Sequence, residues 1–311
     1  RKTWTWSGWI KLGVITIDRT LFGAGTNGDN QTLFNLGDTD RFVFSNEISN
    51  TRFIIHTDAV FRDPSAWYHV VLAVDTTQGT DTNRVKLYVN GELQTFSSVL
   101  NGFPNQNVDT FVNAANANTI GYSSWASQYY NDGYMAEVNF VDGNAYDTSG
   151  NTNHYTSSGI VAHDCAVPDS PENNFMTFNP LMRQSQGSDF PVTHEGNLQA
   201  QFAGYDQYKY IWSTFSIKPN TGKWYFEVEM QTNMGSNNEI AYIGLGTVGP
   251  NFTPTASNGT VGPTNFYISW RGNTGVRTLY VNDAGQSQTT VTVTNLTAGQ
   301  IWQFAIDTDT G

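Results

Sequence analysis

The sequence predicts an all-β chain with room for two antiparallel sandwiches in tandem, and three observations carry that expectation. Charged residues make up only 14% of the 311 residues and aromatics another 14%, with 29 Gly and abundant Asn, Thr and Ser, which is the composition of strands joined by polar turns. Apolar residues alternate along the strongest segments, and no long amphipathic helix is visible. The length exceeds what one hydrophobic core organises, at roughly 100 to 200 residues per domain.

Strands are expected around Trp4 to Leu12, Thr32 to Leu36, Arg41 to Phe44 and Arg52 to His56, punctuated by Gly and Asn clusters. In the run Trp67-Tyr68-His69-Val70-Val71-Leu72-Ala73-Val74-Asp75, Val70, Leu72 and Val74 share one face of an extended strand while His69, Val71 and Ala73 share the other. Val85, Leu87 and Val89 repeat the pattern. Asn90-Gly91 follows, the dipeptide best suited to a type I′ hairpin, in which both central residues need φ > 0. Asp132-Gly133-Tyr134-Met135-Ala136-Glu137-Val138 supplies a further strand. These elements define a first unit over 1–143.

Over 144–172 the composition shifts to Ser, Thr, Asn, Gly and His with few large aliphatics, which predicts a loop or an extended segment wrapped over the first unit. Phe175, Met176 and Phe178 then restart an apolar core, so the second unit is drawn over 173–311. Its strongest strand is Lys223-Trp224-Tyr225-Phe226-Glu227-Val228-Glu229-Met230, with Trp224, Phe226, Val228 and Met230 inward and Tyr225, Glu227 and Glu229 outward. Gly23-Ala24-Gly25 and Gly244-Leu245-Gly246 precede no helix and read as turns or tight strand contacts rather than phosphate cradles.

A net charge of −12 and a pI near 4.6 repel phosphate backbones, which argues against nucleic acid as a partner. No run of about 18 apolar residues predicts a membrane helix. The single cysteine, Cys165, cannot form an internal disulfide and reads as a buried or linker thiol. His56, His69, His154, His163 and His194 show no paired metal spacing, so neither a zinc site nor a histidine triad can be drawn. The chain opens at Arg1-Lys2-Thr3 without a signal peptide and ends at Asp307-Thr308-Asp309-Thr310-Gly311 in what reads as mid-domain, so a piece of a longer polypeptide is expected.

The segments 67–75, 85–92 and 132–138 together resemble a laminin-G or pentraxin-type sandwich. Asn197-Leu198, Gly222 to Val228, Tyr242 to Gly246 and Phe304 to Gly311 resemble a SPRY domain in order and spacing. Both families are built on concanavalin A-like antiparallel sandwiches (jelly rolls), so the resemblance implies two such folds in tandem. A SPRY domain continues with a further tryptophan strand, so the second sandwich is expected to be completed by residues beyond Gly311 or by another chain. The pairing of the two, nearly free of cysteine, is similar to structural proteins of marine bacteriophages. That resemblance implies a virion-exposed tail fibre, appendage or capsid decoration, a homo-oligomer with a trimer as the expected state, contacts with other virion subunits, and a host-surface glycan as partner. A secreted or surface carbohydrate-binding adhesin of bacteria is the competing binding reading.

Three groups of residues are candidates for function. The loop from Tyr122 to Asp132 concentrates aromatics with amides and hydroxyls, a mixture that suits either sugar recognition or a subunit interface; Trp125, Gln128, Tyr129, Tyr130 and Asn131 are its candidate contacts. Asp38, Asp40 and Asp132 are the acids to watch for calcium, which needs about six to eight oxygens and which relatives of the first family often hold at the sandwich rim; short acids also favour turns for their own hydrogen bonds. No cofactor is required by the reading. Glu227 and Glu229, two residues apart on one strand, span roughly 7 Å and so could approach the separation of a retaining glycosidase or serve a polysaccharide lyase. The third acid of the β-glucanase pattern is replaced by Thr232, and the expectation is a non-enzymatic protein.

Overall fold

The computed structural model describes residues 1–49, 51–123, 125, 129–143, 169–185, 189–203, 209–218, 220–232, 240–245, 266–271, 276–281, 289–292 and 298–309. Apart from one 3-10 turn at Asp81–Asn83, every regular element described is a β-strand, and every strand pairing is antiparallel. The chain divides into two compact units, Arg1–Phe215 and Ser216–Gly311.

Eleven strands form the first unit's two large sheets. In chain order they are β1 (Thr3–Lys11), β2 (Arg19–Asn27), β3 (Asn30–Leu36), β4 (Phe42–Ile48), β5 (Thr51–Thr57), β6 (Trp67–Asp75), β7 (Val85–Val89), β8 (Glu92–Leu93), β9 (Phe96–Leu100), β10 (Asn118–Ile120) and β11 (Tyr134–Asp142). One sheet runs β11-β1-β6-β7-β8 and the other β10-β2-β3-β4-β5-β9. The expected alternation holds on β6 and β7: Val70, Leu72, Val74, Val85 and Leu87 are all buried in the core. Asn90 and Gly91 take φ of 51° and 83° between the paired Val89 and Glu92, as a type I′ turn requires.

Trp4, Trp6 and Ile10 on β1, and Leu12 just after it, are buried in the core of the sandwich. Trp4 packs on Phe22 and Phe44 with ring centroids 6.0 and 6.2 Å apart, and Trp6 meets Phe34 edge-on at 5.5 Å. Each buried indole withdraws on the order of 150 to 250 Å² from water, worth about 4 to 6 kcal/mol before conformational entropy is charged. The aromatic pairs span β1, β2, β3 and β4, so this core fixes the register of one sheet against the other.

Strand β2 is where structure and sequence part. No strand is expected over Arg19–Asn27 from the sequence, yet it forms a strand buried along most of its length. The Gly23-Ala24-Gly25 run is therefore the tight strand contact. A Cβ on Gly25 would lie 2.6 Å from the Asn30 carbonyl oxygen and 2.8 Å from Gln31 Cα, so only glycine lets β3 approach here.

The same unit also holds β12 (Phe178–Ser185), β13 (Val192–His194), β14 (Gln199–Gln201) and β15 (Lys209–Ser213), paired as two short ribbons, β12 with β15 and β13 with β14. The sequence assigned 173 onward to the second core, whereas the first compact unit runs to Phe215. The physical reason is a buried polar anchorage. Lys11, on the outer face of β1, is completely enclosed and donates to Asp169 and Asn174, while the Asn197 amide donates to the Gly13 carbonyl at 2.9 Å. The Tyr134 hydroxyl donates to the Gly196 carbonyl at 3.1 Å, and burial is the main reason its pKa is pushed up to about 12. Asp169 and Asn174 are thus tied to β1 through Lys11.

In the second unit β16 (Lys223–Glu229) pairs with β21 (Ile301–Asp307), and β17 (Ile240–Leu245), β18 (Phe266–Arg271), β19 (Val276–Val281) and β20 (Thr289–Thr292) form a four-stranded meander. Trp224, Phe226 and Val228 are half-buried while Tyr225, Glu227 and Glu229 are exposed, the predicted alternation. Phe226 stacks on Phe304, directly opposite it, at 4.6 Å.

Candidate functional site

The loop that follows β10 is held by the backbone before any side chain is considered. The Thr20 N–H donates to the Tyr129 carbonyl at 2.7 Å, the Asn131 N–H to the Gly121 carbonyl at 2.7 Å, and the Gly121 N–H to the Leu21 carbonyl at 3.1 Å. Tyr129 adopts φ of 57°, a left-handed conformation that costs on the order of 1 kcal/mol or more and that these bonds maintain. Gly121 and Tyr129 are therefore tied by their backbones to β2, and Asn131 to Gly121.

Trp125 lies over the β2–β3 turn. A Cβ on Gly28 would sit 3.4 Å from the indole, so the benzo ring packs against the turn. The indole N–H donates to Gln31 Oε1 at 2.5 Å, and Gln31, itself buried, donates to the Gly28 carbonyl at 2.8 Å. The ring is locked in orientation while 39% of the residue stays in solvent. Tyr122 and Tyr130 stack at 5.7 Å and 18°, and Tyr130 is 58% exposed. Immobilised, solvent-facing aromatics lose little entropy on meeting a ligand.

Of the residues singled out in the sequence, Trp125, Tyr129 and Tyr130 are exposed aromatics of this loop. Asn131 is half-buried and turns its amide to the Gly133 carbonyl at 3.2 Å. Gln128 lies outside the described residues. Gln31, Gly28 and Tyr122 complete the site. Gln31 has no local signal, because its partner is 94 residues away.

The three acids marked for calcium do not form a set. Asp40 is fully buried, accepts from the Thr16 N–H at 2.6 Å and pairs with the Arg62 guanidinium at 2.7 Å. Asp132 accepts from the Val14 N–H at 2.7 Å and faces Arg19 Nε at 3.3 Å. Asp38 is exposed. Among the described residues no three His, Cys, Asp or Glu side chains gather as a metal site. Asp40 and Asp132 instead serve Arg19, which is 1% exposed; burial lowers its pKa, and Asp132, Asp40 and Asp18 oppose that effect. This arginine, unflagged by any motif, joins the base of the loop to β2.

Glu227 and Glu229 are exposed on the outer face of β16. Glu227 Oε1 accepts from the Tyr225 hydroxyl and from Gln303 Nε2, the latter at 3.0 Å. The Asp307 carboxylate caps its own turn by accepting from the Asp309 N–H at 3.0 Å. Cys165 lies outside the described residues. Among the described residues no helix is long and apolar enough to cross a membrane.

Two antiparallel sheets around a shared aromatic core give the first unit the fold of a concanavalin A-like sandwich. The family model described as the concanavalin A-like lectin/glucanases superfamily, a laminin-G type, matches residues 1–147. No curated protein matches the chain. Among solved structures, the chain is similar to the CBM40 module of the Ruminococcus gnavus IT-sialidase, with 17% identity, 45% of this chain and 74% of that chain covered and a TM-score of 0.34. It is similar also to domains LG4-5 of the mouse laminin alpha1 chain, with 11% identity, 99% and 67% covered and a TM-score of 0.34. A heptameric SAP-like pentraxin from Limulus polyphemus follows at 15% identity, 45% and 63% covered and a TM-score of 0.31.

Proposed function

We propose that the first sandwich is a carbohydrate-recognition module, and that the chain is a non-enzymatic structural protein of a virus particle which presents this module to a host-surface glycan. The observation that carries the reading is the pair of immobilised, solvent-facing aromatic surfaces on one loop, Trp125 locked by Gln31 and Tyr130 stacked on Tyr122. Ring faces of this kind cover the apolar face of a pyranose, and neighbouring amides and carbonyls take its hydroxyls. The lectin/glucanase description of the matching family supports the same class of ligand. The virion setting rests on the pairing of laminin-G-like and SPRY-like sequence features. Repetition of the module on one particle, as in a trimeric fibre, would raise effective concentration and offset weak individual contacts.

The test is a glycan array probed with the whole chain, followed by titration of any hit against Trp125→Ala and Tyr130→Ala. Loss of about tenfold or more in affinity for each variant, the cost of truncating an interface aromatic, is expected. Undiminished binding by Trp125→Ala, or the absence of any bound glycan, refutes the loop as the site. Turnover of a bound glycan that Glu227→Gln abolishes would refute the non-enzymatic reading.

A further inference from the structure

The buried anchorage around Asp169 contains more than an ion pair. Lys11 Nζ is fully enclosed and meets three acceptors: Asp169 Oδ2 at 2.5 Å, Asn174 Oδ1 at 2.6 Å and the Phe175 carbonyl oxygen at 2.9 Å. Trp67, 9% exposed, and the Tyr134 ring, its centroid 5.9 Å from Nζ, close the site from water. Asp169 is held in turn, its Oδ1 accepting from Trp67 Nε1 at 3.0 Å and from the Phe175 N–H at 3.3 Å. The Asn174 amide nitrogen donates to the Ser65 carbonyl at 2.5 Å. A buried amine, an oriented carboxamide and a carboxylate touching the amine are the nucleophile, electrophile and proton carrier of an intramolecular amide exchange.

We propose that Lys11 and Asn174 are joined by an autocatalytic isopeptide bond, with Asp169 carrying the protons. An amide C=O of about 1.23 Å keeps Asn174 Cγ within about 3.8 Å of Nζ, near the 3 to 3.5 Å of a near-attack contact. A turn of the amide about its soft terminal torsion presents the carbonyl face. Nζ first passes a proton to Asp169 Oδ2, 2.5 Å away. The neutral amine then attacks Cγ, and the Nζ–Cγ bond forms. A second proton leaves Nζ, the Cγ–Nδ2 bond breaks, and Nδ2 takes up both protons and departs as ammonium. Asp169 ends as the carboxylate it began as, and nothing is oxidised or reduced. The product is a covalent clasp between β1 and a segment 163 residues further on, which closes a long loop in the unfolded chain.

The experiment is intact-mass measurement of the full chain as purified, followed by peptide mapping. The expected result is a mass short by one ammonia, with the peptides that contain Lys11 and Asn174 recovered joined. Asn174→Ala and Asp169→Ala should show the full mass of their own sequences. A full mass for the wild-type chain overturns the proposal without recourse to any variant. So does loss of water, which would tie Lys11 to the Asp169 carboxyl group, or loss of ammonia that maps to an Asn-Gly pair such as Asn90-Gly91 with the Lys11 peptide free.

Discussion

Removing the half-exposed partner of the Arg19–Asp132 pair should damage the protein more than removing the buried one. Arg19 is 1% exposed, its guanidinium nitrogens have no hydrogen-bond acceptor among the described residues, and Asp132 stands 3.3 Å away as its counter-charge. Asp132→Ala leaves that cation buried with only Asp40 and Asp18 to oppose its desolvation, and it strips the Val14 N–H of its acceptor. Breaking a buried pair from one side costs about 3 to 5 kcal/mol. The residual acids and the 26% exposure of the Asp132 side chain place this case at the lower end, about 3 kcal/mol. Arg19→Met leaves no buried charge, because Asp132 keeps the Val14 amide and its access to water; the expected cost is about 1 kcal/mol or less. Urea titration followed by tryptophan fluorescence measures both. Equal costs, or a larger cost for Arg19→Met, would refute the argument that desolvation of Arg19 is what Asp132 offsets. Because Asp132 also ends the aromatic loop, its variant should weaken glycan binding, whereas Arg19→Met should leave binding close to that of the parent.

Other outcomes follow from the same contacts. Gly25→Val forces a side chain against the Asn30 carbonyl and Gln31 Cα, and should cost about 1 to 3 kcal/mol as overpacking, read from the urea midpoint. Trp6→Ala opens a cavity in the aromatic core and should cost about 3 to 5 kcal/mol by the same measurement. Tyr134 has its pKa raised from 10.0 to about 12, so its contribution is complete below pH 10 and is lost as pH rises toward 12; Tyr134→Phe should lack that alkaline limb in a pH series of unfolding curves. Asp58 has its carboxyl pKa lowered from 3.8, first by the Ser97 hydroxyl and then by Thr95. Its contribution is therefore present above pH 3.8 and fades as pH falls further; the stability gap between wild type and Ser97→Ala should close in acid, and a gap independent of pH would contradict the assignment.

Local pattern was enough to specify the strands that alternate cleanly. Val70, Leu72 and Val74 on β6, Val85 and Leu87 on β7, and the Asn90-Gly91 turn are legible because a period of two and a positive-φ dipeptide are properties of neighbouring residues. The exposed aromatic loop was legible for the same reason, as a composition. Strand β2 was not, since Arg19 to Asn27 owes its burial to a sheet on one side and a sandwich on the other, and its glycines carry no hydrophobic signal. Tertiary structure alone decided that Asp40 and Asp132 face arginines, that Gln31 fixes Trp125 from 94 residues away, and that Lys11 finds Asp169 and Asn174 more than 150 residues along the chain. A side chain's neighbours in sequence set its backbone and its face; its charge partner is set by which distant segments the packed core brings within a few ångströms, and no periodicity records that.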